Sequence, residues 1–167
     1  MDTAIEKEVL FNRISDDLSK NGFEILSTDK DRPWGGFLVI KEDQAQDFSN
    51  IYFDGIQIDQ LKIAGKLSPK VLLVSPKARL SWQYHNRRAE IWQVISGIVG
   101  VITSPTNQEG EMKVLRAGER ILLKQGERHR LIGLEDWGVV AEIWQHTDES
   151  NPSDESDIIR VQDDFGR

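Results

Sequence analysis

The sequence predicts an all-β barrel or sandwich preceded by one α-helix, and three observations carry that expectation. Residues 4–20 repeat apolar side chains at helical spacing. From residue 34 onward that period gives way to short runs rich in β-branched and aromatic residues. Turn dipeptides separate those runs, a pattern of antiparallel strands.

In chain order, Ile5, Val9 or Leu10, Ile14 and Leu18 mark one amphipathic face, and Asn21-Gly22 supplies a helix stop. This predicts an outer helix packed on a barrel. Strands are expected over 34–40, 70–75, 80–84, 90–95, 98–103, 120–124, 128–132 and 138–144. Ser96-Gly97, Ala117-Gly118, Gln125-Gly126 and Trp137-Gly138 are turn signals between them. Residues 41–69 read as a polar, irregular excursion with a short strand or helical turns near 51–53. Residues 148–157 form an acidic Ser/Pro loop, after which 158–161 return as an edge strand. The expected organisation is a helical extension over 1–30 and one globular unit over 31–167, without internal repeats.

With 167 residues, 38% of them hydrophobic, the chain is long enough for one buried core. The N-terminus opens with charged residues and no apolar run follows, so a cytoplasmic, soluble protein is expected. There is no cysteine, which excludes disulfides and thiolate metal sites and leaves His, Asp, Glu and amide oxygen as ligands. A formal charge of -7 argues against nucleic acid or an acidic membrane surface as partner. An anionic small molecule requires arginines to converge locally.

Two of the three histidines stand in informative places. Strand alternation in Ser81-Trp82-Gln83-Tyr84-His85 puts Gln83 and His85 on one face and Trp82 and Tyr84 on the other. The same rule groups Glu90 with Trp92 and Val94, opposite Ile91, and His129 with Leu131, away from Arg128 and Arg130. Two strands joined by a short turn and a third behind them can aim an amide oxygen, two imidazoles and a carboxylate at one point. That set suits zinc, iron, manganese or nickel, with room for substrate oxygens.

Gln83-x-His85-x4-Glu90-x6-Gly97 resembles the first cupin motif with Gln at its first His position. Gly118-x5-Lys124-x-Gly126-x2-His129-x3-Gly133 resembles the second, with Lys124 at its usual Pro. The resemblance implies a cupin double-stranded β-helix, a jelly-roll barrel. Further motifs narrow it: Arg32-Pro33-Trp34-Gly35, the run Leu80 through Trp92, His129-Arg130-Leu131, Asp157-Ile158-Ile159-Arg160 and Asp164-Phe165-Gly166-Arg167. Together, over Arg32 to Arg167, they resemble the C-terminal domain of type II mannose-6-phosphate isomerases. In that family the domain often follows a mannose-1-phosphate guanylyltransferase domain, which these residues do not include. The family's histidine run is reduced here to His85-Asn86-Arg87, while Arg88, Ala89 and Glu90 stay in register, and residues 41–69 match no part of the family pattern.

The resemblance implies a metal on Gln83, His85, Glu90 and His129, zinc first, and aldose–ketose isomerisation of a phosphorylated sugar, with mannose 6-phosphate the leading substrate. Glu142, which shares a strand face with Trp144, and Lys124 are the candidates for the proton-transfer group. Arg88 is the first candidate for gripping phosphate, followed by Arg130 and Arg79. Arg32 and Arg167 are expected either to line the pocket mouth or to tie the ends of the domain together by salt bridges, the second reading being favoured. Of the five tryptophans, Trp92 or Trp144 is expected to stack on the sugar and the rest to serve core or dimer interface; His146 is expected in a surface loop. Two other readings are a metal-dependent cupin dioxygenase and a non-catalytic sugar or sugar-phosphate binding module. A homodimer through outer strands is expected from the exposed edge of an open barrel.

Overall fold

The computed structural model describes residues 3–55 and 67–167, with side chains from residue 6 onward. Residues 56–66 of the expected excursion, and the side chain of Ile5, lie outside the described residues. Thr3–Lys20 forms α1. Its buried stripe is Leu10, Phe11, Ile14 and Leu18; Val9 is 59% exposed, so Leu10 carries that turn of the stripe. Gly22, at φ +87°, ends the helix: the Phe23 N–H reaches the Leu18 carbonyl and the Gly22 N–H the Ser19 carbonyl, a Schellman closure.

Among the described residues the strands in chain order are β1 (Ile25–Arg32), β2 (Gly35–Ile40), β3 (Lys70–Val74), β4 (Trp82–Tyr84), β5 (Arg88–Ser96), β6 (Ile98–Ser104), β7 (Met112–Arg116), β8 (Arg120–Leu123), β9 (Arg128–Gly133), β10 (Gly138–His146) and β11 (Ile159–Gln162). They pair antiparallel into a six-stranded sheet, β1-β2-β3-β10-β5-β8, and a five-stranded sheet, β11-β4-β9-β6-β7. Between β2 and β3, a 3-10 turn (Glu42–Gln44) and α2 (Ala45–Tyr52) resolve the described part of the excursion as helix.

Period-two alternation divides the apolar residues of the larger sheet between two cores. Val71 and Leu73 of β3, Ile91 of β5 and Val139, Ala141 and Ile143 of β10 face outward. There they pack beneath Leu10, Phe11, Ile14 and Leu18 of α1 and Ala45 and Phe48 of α2. Leu72 and Val74, Trp92 and Val94, and Val140 face inward against Val99 and Val101 of β6 and Leu131 of β9. The sheets close tightly at the apolar end: a Cβ on Gly133 would stand 1.9 Å from the Ser75 carbonyl oxygen, so only glycine fits there.

Two strands escaped the sequence reading. β1 is polar and fully buried on neither face, and β7 is exposed along most of its length, so neither shows alternation; backbone pairing to β2 and β6 holds them. Among the described residues no helix is long and apolar enough to cross a membrane.

Candidate metal centre

The smaller sheet contributes Gln83 from β4, His85 just beyond it, and His129 from β9, with Gln83 and His129 direct cross-strand partners. The larger sheet contributes Glu90 from β5. His85 Nε2 lies 3.1 Å and His129 Nε2 3.0 Å from Glu90 Oε1, and the two Nε2 atoms are 3.2 Å apart. All three residues are buried. Gln83 is buried too and lines the same cavity as Glu90, its Oε1 accepting from Ser81 Oγ at 2.7 Å.

The outer nitrogens of both imidazoles are committed. His85 Nδ1–H donates to the Asp157 carbonyl at 2.7 Å and His129 Nδ1–H to the Glu127 carbonyl at 3.1 Å. In its neutral form each ring then turns an Nε2 lone pair inward, toward a carboxylate oxygen that is buried. Three lone-pair atoms at this spacing repel unless a cation lies among them. Ligands about 2.0–2.1 Å from an octahedral or tetrahedral ion stand roughly 2.8–3.4 Å apart, a range that includes the observed spacings. The donor set fits a divalent transition metal.

Two carboxyls inside the cavity carry opposite protonation. Burial pushes Glu90 up, but when protons rather than a metal ion sit among these atoms, positive charge on His85 and Arg88 and hydrogen bonds from both imidazoles hold it well below the usual carboxylate range. Burial, and then the negative charge of Glu90, push Glu142 up to about 8. Glu142 is fixed by two indoles, Trp92 Nε1 donating at 2.7 Å and Trp144 Nε1 at 2.8 Å. Trp92 also turns its edge to His129, so its ring is part of the wall around the ligands.

Arg88 is buried against the Trp144 ring, its guanidinium carbon 3.6 Å from the ring centroid. Its Nη1 donates to Ser153 Oγ and the Asp154 carbonyl, both at 2.9 Å, and its Nε lies 3.6 Å from Glu90 Oε2. It faces the ligands from the cavity wall. Four further cations line that cavity among the described residues: Arg32, Lys70, Arg160 and Arg167. Arg32 and Arg167 do form salt bridges, but each within its own end, to Asp29 and Asp163, rather than tying the two ends together.

The structure does not bring Arg79, Arg130 or Lys124 to this cavity. Arg79 pairs with Asp164. Arg130, fully buried, donates to the Leu80 carbonyl, Glu109 and Gln162 on the outer side of the smaller sheet, which holds its guanidinium away from the cavity. Lys124 is exposed beyond β8. His146 is corrected from a surface loop to a buried position: β10 runs on to it, and its Nδ1 accepts the Ser153 N–H at 2.9 Å.

Sequence reasoning gave no role to the loop 148–157. It folds back over the β4–β5 turn, where the Asp157 carboxylate accepts the Asn86 and Arg87 N–H groups, each at 2.9 Å, and the Ser153 hydroxyl. Asp157 thus grips the turn that carries His85 while its carbonyl fixes the ring. Only the Asp157-x-x-Arg160 motif marked this segment in the sequence.

Comparison with known proteins agrees with this architecture. The family model described as mannose-6-phosphate isomerase C-terminal matches residues 41–163, which brings the 41–69 excursion inside the family pattern. The mannose-1-phosphate guanylyltransferase ManC of Salmonella typhimurium is 29% identical over 109 residues, 65% of this chain and 21% of that protein. The xanthan biosynthesis protein XanB of Xanthomonas campestris is 28% identical over 65% of this chain and 22% of its own length. The chain thus spans about a fifth of the length of these relatives. Recombinant oxalate oxidase in complex with glycolate superposes over 80% of this chain and 58% of its own, with TM-score 0.51 and 20% identity, a likeness of fold alone. The fold is a cupin barrel.

Proposed function

Because the chain belongs to the mannose-6-phosphate isomerase C-terminal family, we propose that its barrel isomerises a phosphorylated aldose and ketose at a divalent metal, zinc first. The observation that carries this reading is a cavity lined by Gln83, by Glu90 of the His85–Glu90–His129 cluster, by a proton-holding carboxyl at Glu142 and by a wall of cations. Gln83, His85, Glu90 and His129 would hold the metal, which when bound supplies Lewis-acid stabilisation of charge on the sugar's C1 and C2 oxygens.

The residues of the chain do the rest. Isomerisation moves a proton between adjacent carbons, and a group with a pKa near the working pH serves both as base and as acid. Glu142, pushed up to about 8 in the metal-free site, is the carboxyl placed for that role, and the Trp92 and Trp144 indoles keep it in one orientation. Arg32, Arg160 and Arg167 offer guanidinium forks for the phosphate. Arg88, with Nη1 committed to the loop, orients Glu90.

A coupled assay of the zinc-loaded protein with mannose 6-phosphate tests the reading. We expect turnover in the parent and a fall in kcat of roughly 100-fold or more in Glu142→Gln. Absence of turnover across hexose, pentose and heptose phosphates would remove the proposal. If sugar phosphates then still raised Tm, the non-catalytic binding reading would replace it.

A further inference from the structure

Lys70 and Glu155 form a pair that the reaction itself does not use. Lys70 opens β3 directly opposite Glu142 and points between the sheets. Its side chain is 8% exposed, and its Nζ lies 3.7 Å from the Trp144 ring centroid and 5.6 Å from that of Phe37. A cation boxed by two aromatic rings at the wall of a cavity has been taken out of most of its water, so it requires an anion. The anion present is the Glu155 carboxylate, in direct contact with Nζ.

Glu155 differs from the cavity's other carboxylates. Glu90 and Glu142 are buried on central strands, whereas Glu155 is 62% exposed and stands on the irregular segment between β10 and β11. An exposed side chain on a loop gives up little when its partner is taken by another anion. The site therefore holds a deeply seated cation whose counter-ion is singly charged and replaceable.

We propose that Glu155 is a built-in stand-in for the substrate's phosphate, and that Lys70 is the anchor of the phosphate subsite, exposed to ligand when a phosphate displaces the Glu155 carboxylate. This rests on the sugar-phosphate reading above and deepens it. A phosphate, carrying close to two charges, outcompetes one carboxylate for the same ammonium; a neutral sugar cannot. Glu155 thereby sets selectivity for phosphorylated over free sugars.

The test is a tryptophan-fluorescence titration with inorganic phosphate, run on metal-loaded and on chelator-treated protein so that phosphate held on the metal is recognised by its loss. In both forms Glu155→Gln should tighten phosphate binding by roughly threefold to tenfold, because an attached competitor has been removed. Lys70→Met should weaken binding, and adding Glu155→Gln to Lys70→Met should change nothing further. Unchanged or weaker phosphate affinity in Glu155→Gln, or a gain that persists without Lys70, would overturn the proposal. Because phosphate binding is read without turnover, an inactive parent that shows the expected cycle would sink the isomerase reading and leave this subsite standing.

Discussion

Inward positions on β3 run Lys70, Leu72, Val74; on β5 they run Glu90, Trp92, Val94; and His129 is followed inward on β9 by Leu131. β10, running antiparallel, gives Val140, then Glu142 and Trp144. One end of the space between the sheets is therefore lined by ionisable groups and indoles, and the other by hydrocarbon. A step of two residues, about 6.6 Å along a strand, separates the two. The apolar end contributes burial, while the polar end is stable only because nearly every charge has a partner: Glu142 under two indoles, Arg88 on the loop, His85 on Asp157. The lesson is that the core and the site are separable, so substitutions at one end should leave the other's property intact.

Leu131→Ala at the apolar end should cost the most stability, about 2–5 kcal/mol, through lost burial and the cavity left behind. Urea unfolding measures it, and metal content should not change. Loss of metal together with stability would show that the ends are not independent.

Glu142→Gln sharpens the comparison from the polar end. The folded Glu142 carboxyl is raised, so its contribution to stability is complete below its ordinary value of 4.5 and is lost as pH rises toward about 8. Chelator-treated parent protein should lose stability over that window, on the order of a few kcal/mol, and the variant should lose much less. Glu90, held low, acts in the opposite sense: its contribution is present above its ordinary value of 4.5 and is lost on acidification. Identical pH slopes in parent and Glu142→Gln would contradict the assignment of the buried proton.

Smaller effects are expected at the supports. Asp157→Asn should cost about 1–3 kcal/mol by disturbing its bonds to Asn86, Arg87 and Ser153. It should also weaken metal binding roughly tenfold, read by chelator competition, because the turn carrying His85 loosens. Ser81→Ala removes only the hydroxyl bonded to Gln83 and should cost about 1 kcal/mol.

The inward grouping of Gln83, His85, Glu90 and His129 was legible because they sit on or beside strands buried on both faces, where period two survives in the residue types. β1 and β7 were not legible, since exposed strands impose no such pattern. Arg79 and Arg130 read as ligands because a sequence does not reveal the partners that occupy them, Asp164 and Gln162 among these. Lys70 was missed for the converse reason: its partner Glu155 lies 85 residues away and its importance comes from the cavity around it. His146 read as a loop because its neighbours are polar, yet the returning segment at Ser153 covers it.

The central claim is that one buried cluster holds one metal ion. Elemental analysis of the purified chain beside its His85→Ala/His129→Ala double variant addresses it most directly. One equivalent of a transition metal is expected in the parent and almost none in the variant. Equal metal in both would contradict it.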